Sequence, residues 1–274
     1  MGELRYVYAV CLPFDAPVPA LAGVAGAPPR RLAGEGLVAI VGDVGEADFA
    51  ESELRKRLED LDWVSSTARA HEAVVAALMT VTSPLPLRLG TVFRDDDGVR
   101  TMLQTQKDRF LELLGRVDGR VEWGVKVYMY LPEAAPETEQ KRAATGRDYL
   151  RQRSHRHTAR ETQWQQAEGV SETLHAELAR HAVATRLHRP QGAVLSGVRG
   201  RNVLNAAYLV DRVRSREFTK IVEEKKDETV AMTGGPQGLR VELTGPWAAY
   251  SFSGDEGLRL EERREGEGEG GTRR

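Results

Sequence analysis

Leu4, Tyr6, Tyr8, Val10 and Leu12 alternate with Arg5, Val7, Ala9 and Cys11. A period of two marks a strand, and apolar residues on both sides place it inside a sheet, covered on both faces. Pro13, Pro17 and Pro19 end it, and a Gly/Ala/Pro loop containing Pro28-Pro29 follows. Residues 36–44, GLVAIVGDV, read as a second buried strand. Asp48 and Glu51 have the spacing of a capping box and predict a helix with Ala50, Leu54, Leu58 and Leu61 on one face. Residues 67–80 predict another helix, with His71, Val74, Val75, Leu78 and Met79 on its apolar stripe.

The stretch SPLPLRLGTVF restarts the period of two. It predicts a strand over 85–93 with Leu87, Leu89 and Phe93 in the core and Pro86 at its start or on an edge. Asp95-Asp96-Asp97-Gly98 is a turn that also suits a helix N-terminus. The helix after it carries Val99, Met102, Leu103, Phe110, Leu113 and Leu114. Val121, Trp123, Val125, Val127, Met129 and Leu131 then form the clearest strand pattern in the chain. Residues 145–189 predict a long polar helix with Val170, Leu174, Leu178 and Ala182 as its stripe, stopped by Pro190 and Gly192. Strands over 193–198 and 203–210 flank the turn RGRN. A helix over 214–232 with Phe218, Ile221, Val222 and Val230 inward ends at Gly234-Gly235-Pro236, before a last strand on Leu239, Val241 and Leu243.

The fold class this predicts is α+β, in two α+β domains. Residues 1–118 read β-β-α-α-β-α. Residues 119–255 read β-α-β-β-α-β, the order of a ferredoxin-like split βαβ unit, a four-stranded antiparallel sheet with its helices on one face. Residues 256–274, rich in Glu, Arg and Gly, lack packing capacity and are expected to be disordered and dispensable for folding.

Composition narrows the function. With 41% hydrophobic and 29% charged residues the chain can build a core, and its formal charge of −2 gives no electrostatic reason for a nucleic-acid or membrane partner. A single cysteine, Cys11, a first stretch without a signal-peptide pattern, and no apolar run of about 20 residues lead to the expectation of a cytoplasmic protein. The histidines at 155, 157, 175, 181 and 188 lack zinc-site spacing, and His71 on its apolar stripe reads as a hydrogen-bonded, semi-buried residue. GVRGRN and MTGGPQG match neither a P-loop nor a dinucleotide fingerprint, and no serine has the GxSxG context. No catalytic, cofactor or metal residues are assigned, and no cofactor is expected.

Four stretches together resemble the gas vesicle protein L/F family (GvpL/GvpF): YVYAV, ARAHEAVV with SPLPLRLGTVF, DRFLELLGRVDGRVEWGVKVY, and LTGPWAAYSFS. The family's usual motif has a proline where this chain has Ala248 or Ala249. The resemblance implies a non-enzymatic accessory or minor structural role in building gas vesicles, with the main hydrophobic shell protein and other vesicle proteins as partners. It also implies two α+β domains, the second a modified ferredoxin-like fold. Trp247, Tyr250 and Phe252 in the last block are the candidate partner-binding residues, with a clamp that folds the C-terminus back on the body as the plainer role. The alternative class is an α+β enzyme or small-ligand-binding domain with a pocket near Gly245-Pro246-Trp247.

Overall fold

The computed structural model describes residues 2–130, 146–190, 201–232 and 238–254. Its contacts divide the chain into two compact units, Met1–Glu122 with Pro246–Arg274, and Trp123–Gly245. The last apolar segment thus groups with the first unit, whereas sequence order had assigned it to the second. Linear order cannot reveal that Ala248 and Tyr250 pack on a core built from residues 4–79.

In the first unit, strands β1 (Glu3–Cys11), β2 (Arg30–Gly34), β3 (Leu37–Gly45) and β4 (Leu85–Pro86) lie in the order β2-β3-β1-β4, and β5 (Val92–Phe93) also pairs with β1. β1 is interior, as its double-sided apolar pattern requires. Strand β2 falls where a loop was expected, and it joins β3 through Glu35 and Gly36 with φ of 56° and 77°, the left-handed pair of a tight hairpin. The simple alternation along β1 is broken by a bulge. Val7 faces Val41 and Ala9 faces Ile40, which leaves Tyr8 as the extra residue. Tyr6, Tyr8, Ala9 and Cys11 therefore share one core, while Leu12 is exposed.

That core is closed by α1 (Glu46–Phe49) and α3 (Leu61–Leu78), through Phe49, Val74, Val75 and Leu78. Each of these fully buried side chains stabilises the fold by about 1.5–3 kcal/mol. On the opposite face α4 (Asp96–Thr105) lies against β1, β2 and β3, and α5 (Lys107–Val117) against β4. Helix α4 starts where Asp95 accepts from Gly98 N at 2.8 Å, and its first turn is tied to the sheet by charge. Asp96 pairs with Arg5 at 2.6 Å and with Arg30 at 2.7 Å, and Asp43 completes the group at 3.2 and 3.4 Å.

Several expectations change. Asp48 caps nothing; it sits inside α1 and accepts from Arg57 Nε at 3.0 Å, because the backbone breaks at Ala50 (ψ 149°) before α2 (Glu51–Arg57). Helix α3 begins at Asp60, which accepts from the amides of Asp62 and Trp63, and Leu58 and Leu61 are exposed. The stretch 85–93 is two short strands split by a turn at Gly90 (φ 78°). Leu85 and Pro86 are its buried residues, whereas Leu87, Leu89 and Phe93 are half-buried.

The second unit is built from β6 (Arg120–Met129), α6 (Gly146–Ala179), β7 (Ala184–Leu187), β8 (Arg201–Asp211), α7 (Ser215–Met232) and β9 (Leu239–Trp247). The sheet order is β7-β8-β6-β9, that of a split βαβ unit. Helices α6 and α7 both pack on β8 and on each other. Helix α6 ends ten residues earlier than 189, and β7 occupies part of the expected helix. Its apolar stripe stops at Leu178, and the β-branched Val183 and Thr185 favour extension beyond it. β9 continues through Gly245 and Pro246 to Trp247 instead of ending near Thr244. The expected strand over 193–198, the break at Gly234-Gly235-Pro236, Leu131, the Val230 side chain and the tail 256–274 lie outside the described residues.

Candidate functional site

The three aromatics of LTGPWAAYSFSG have different fates. Trp247 ends β9 and is 41% exposed, whereas Phe252 is 2% exposed. Between them Ala248 and Ala249 are buried, and Tyr250 N donates to Ala248 O at 2.7 Å. With φ −76° and ψ 58°, Ala249 is the centre of an inverse γ-turn, which starts the single 3-10 turn Tyr250–Phe252. That φ is one a proline ring also adopts, so the alanine is compatible with the proline of the family motif.

Two contacts hold this segment to its own unit. Ser251 donates from its amide and its hydroxyl, each at 2.7 Å, to the two carboxylate oxygens of the buried Glu122. Tyr250 packs on the core cluster with its ring centroid 6.1 Å from that of His71. Burial pushes the Tyr250 phenol above its ordinary range, and the neighbouring Glu72 carboxyl adds to the effect. Burial also raises Glu72. Sequence reasoning missed Glu122 and Glu72. Glu122 is a carboxylate between Val121 and Trp123 of a strand, and a buried charge at such a place signals a partner brought from elsewhere.

His71 sits beneath this segment, on the buried stripe of α3, hydrogen-bonded through Nδ1 to Tyr6 Oη at 2.9 Å. Its Nε2 is buried without a hydrogen-bond partner. Burial lowers its pKa from 6.5 to about 4, so the ring is neutral at physiological pH. The expected hydrogen bond is present, but the ring is 3% exposed and so buried rather than semi-buried. His175 on α6 is hydrogen-bonded through Nδ1 to Tyr208 Oη at 2.8 Å, and His181 stands 3.9 Å from Glu177. The side chains of His155 and His157 lie outside the described residues. Among the described residues no group of three or more His, Cys, Asp or Glu is placed to hold a metal ion, and no helix is long and apolar enough to cross a membrane.

A groove lies close in sequence to Gly245-Pro246-Trp247, lined by Glu223 and Lys226 of α7 and by residues 239–244 of β9. Its charges pair with each other, Lys226 with Glu223 at 3.0 Å and Arg240 with Glu242 at 2.8 Å. Such mutual pairing leaves them poorly disposed to act as an acid, base or nucleophile.

The gas vesicle synthesis protein GvpL/GvpF family matches residues 4–254. Gas vesicle protein L of Streptomyces sp. (strain CB03234) is 54% identical over 92% of this chain and 93% of its own length. Gas vesicle protein F of the same strain is 28% identical over 90% of this chain and 98% of its own. The crystal structure of GvpF from Anabaena sp. PCC7120 superposes with a TM-score of 0.65 at 20% identity, over 92% of this chain and 97% of that one. GvpF from Microcystis aeruginosa gives a TM-score of 0.63 at 18% identity, over 92% and 99%. These structures share its α+β fold. With a match that runs from the first strand to the end of the C-terminal aromatic segment, the chain belongs to the gas vesicle synthesis protein GvpL/GvpF family.

Proposed function

We propose that this protein is a cytoplasmic, vesicle-associated accessory factor of gas vesicle assembly that binds the main shell protein and other vesicle proteins. The observation that carries the reading is the family match over residues 4–254, a family described by gas vesicle synthesis. The higher identity to protein L than to protein F of one strain supports a place on the L side of the family. A shell protein that must repel water on one face carries apolar surface before it assembles. A partner with anchored aromatic contacts can cover that surface without a cofactor or catalytic group.

Trp247 is the contact residue in this reading, since it combines exposure with a backbone held in β9. Tyr250 and Phe252 act indirectly, by fixing the segment that carries it. The test is co-purification of the main shell protein with the native chain and with Trp247→Ala, alongside circular dichroism of both. The expected result is capture by the native chain and loss of capture by a folded variant. Failure of the native chain to capture the shell protein would overturn the function, and equal capture by the variant would remove Trp247 from it.

A further inference from the structure

Strand β9 ends at Trp247, and the chain turns almost at once into the 3-10 turn Tyr250–Phe252. A strand end frays unless something ties it. The first amides of a helical turn need acceptors from outside it, which a side chain at the cap position usually supplies. Here the cap position is Ala249, whose side chain makes no such bond. Tyr250 N reaches Ala248 O at 2.7 Å, Phe252 N reaches Ala249 O at 3.1 Å, and Ser253 N reaches Tyr250 O at 3.5 Å. The amide of Ser251 goes to Glu122 Oε2 and its hydroxyl to Glu122 Oε1, each at 2.7 Å. A buried carboxylate of β6 thus caps a turn 129 residues further along the chain.

The same residue also stands at the entrance to the segment. Tyr130 N donates to Gly238 O at 2.9 Å, and Thr244 Oγ1 lies 3.5 Å from Gly124 O, so β6 and β9 run antiparallel with residue 124 facing 244. Two steps on, Pro246 comes level with Glu122. Glu122 therefore lies beside the residue before Trp247 and bonds the residue four places after it. Burial of Ala248 and Phe252 sets the depth of the segment, but apolar burial has no direction. The two short hydrogen bonds to one carboxylate supply the direction.

We infer that Glu122 is the positioning residue for the Trp247 contact, an inference that rests on the role given to Trp247 above. Its carboxylate locks residues 247–251 into one geometry before any partner arrives. The exposed indole is then held ready, and less conformational freedom is lost when it binds. Glu122 acts through Ser251 and the turn, without touching the partner.

The test compares the native chain with Glu122→Leu, which fills the site but accepts no hydrogen bond, and with Glu122→Gln. The glutamine oxygen still accepts from the Ser251 amide, and its NH2 can donate to the Ser251 hydroxyl. Each variant is checked for native circular dichroism. NMR relaxation of the Trp247 indole N–H, identified by its loss in Trp247→Ala, is read beside affinity for the main shell protein. The native and Glu122→Gln chains should hold the indole at an order parameter of about 0.85, and Glu122→Leu should drop it below about 0.6. Affinity should fall roughly tenfold in Glu122→Leu and stay near native in Glu122→Gln. In the Trp247→Ala background Glu122→Leu should lower affinity no further, because it acts through the indole. Should Glu122→Leu lose the native spectrum, Ser251→Ala removes one of the two bonds and is expected to loosen the indole by a smaller amount. An indole as rigid in Ser251→Ala or in folded Glu122→Leu as in the native chain would overturn the inference. So would a Glu122→Gln chain as loose as Glu122→Leu, or a further loss in the double variant. A native chain that captures no shell protein, with the indole loosened as expected in the variants, would overturn the partner alone and leave Glu122 as the residue that positions Trp247.

Discussion

Each unit hangs a histidine from a helix onto a buried tyrosine of an interior strand, but the surroundings of the two pairs differ. His71 reaches Tyr6 and His175 reaches Tyr208, at 2.9 and 2.8 Å. Both tyrosines are fully buried. His71 is 3% exposed, ringed by Tyr6, Tyr8 and Tyr250, and its second nitrogen has no partner. His175 is half-buried on the long polar helix α6, and burial lowers its pKa from the ordinary imidazole value. The C-terminal segment makes part of the difference, for Tyr250 lies over His71 and Ala248 joins the same core. A motif of two residues is therefore insufficient to describe the chemistry. The cover laid over it decides whether the imidazole can take up a proton.

Removing the anchor of that cover should have the largest effect. Phe252→Ala deletes a buried aromatic and is expected to cost about 3–5 kcal/mol in urea unfolding. It should also raise the His71 pKa toward its ordinary value, which NMR titration of the imidazole would follow. A stability near native would mean that the segment does not seal the pair.

Acid should then distinguish the two histidines. His71 has a folded pKa of about 4 against 6.5 unfolded, so the unfolded chain takes up the proton first as pH falls. Stability from this group is full above about pH 6.5 and declines toward pH 4, by about 3 kcal/mol in total. The half-buried Glu72, with its pKa raised, works in the opposite sense and recovers stability as it is protonated. His71→Gln should therefore flatten the decline between pH 6.5 and 4.5, and His175→Gln should change it less. Equal slopes in both variants would erase the distinction.

Tyr6→Phe leaves His71 Nδ1 buried without its hydroxyl partner and should cost about 1–3 kcal/mol. Tyr208→Phe should cost less, about 0.5–1.5 kcal/mol, because half-buried His175 can turn to water. Thermal unfolding of the two variants side by side checks the order.

The smallest contrast concerns charge. Asp96 is held by hydrogen bonds from Arg30 and Arg5, which lower its pKa to about 2. Asp96→Ala should cost about 1 kcal/mol at pH 7. Its contribution is present above the ordinary aspartate pKa and fades as pH falls toward 2. Lys225→Ala, which breaks an exposed pair on α7, should leave the melting temperature within error.

The division between what the sequence determines and what tertiary structure decides follows the range of the forces. Interior β1, the stripe of α3, the inward Phe218 and Val222 of α7, the helix start at 95–98 and the hydrogen bond of His71 were legible because each rests on residues a few positions apart. The bulge at Tyr8, the split of 85–93 and the strand at 184–187 were not, since each depends on pairing with a strand distant in the chain. The aromatic segment shows the boundary most clearly. Its composition alone announces that Trp247, Tyr250 and Phe252 must pack on something or be bound. Which of them is buried was decided by Glu122 and His71, 129 and 179 residues away from Ser251 and Tyr250. A local pattern can state that apolar surface needs cover, and the folded chain supplies the particular surface that covers it.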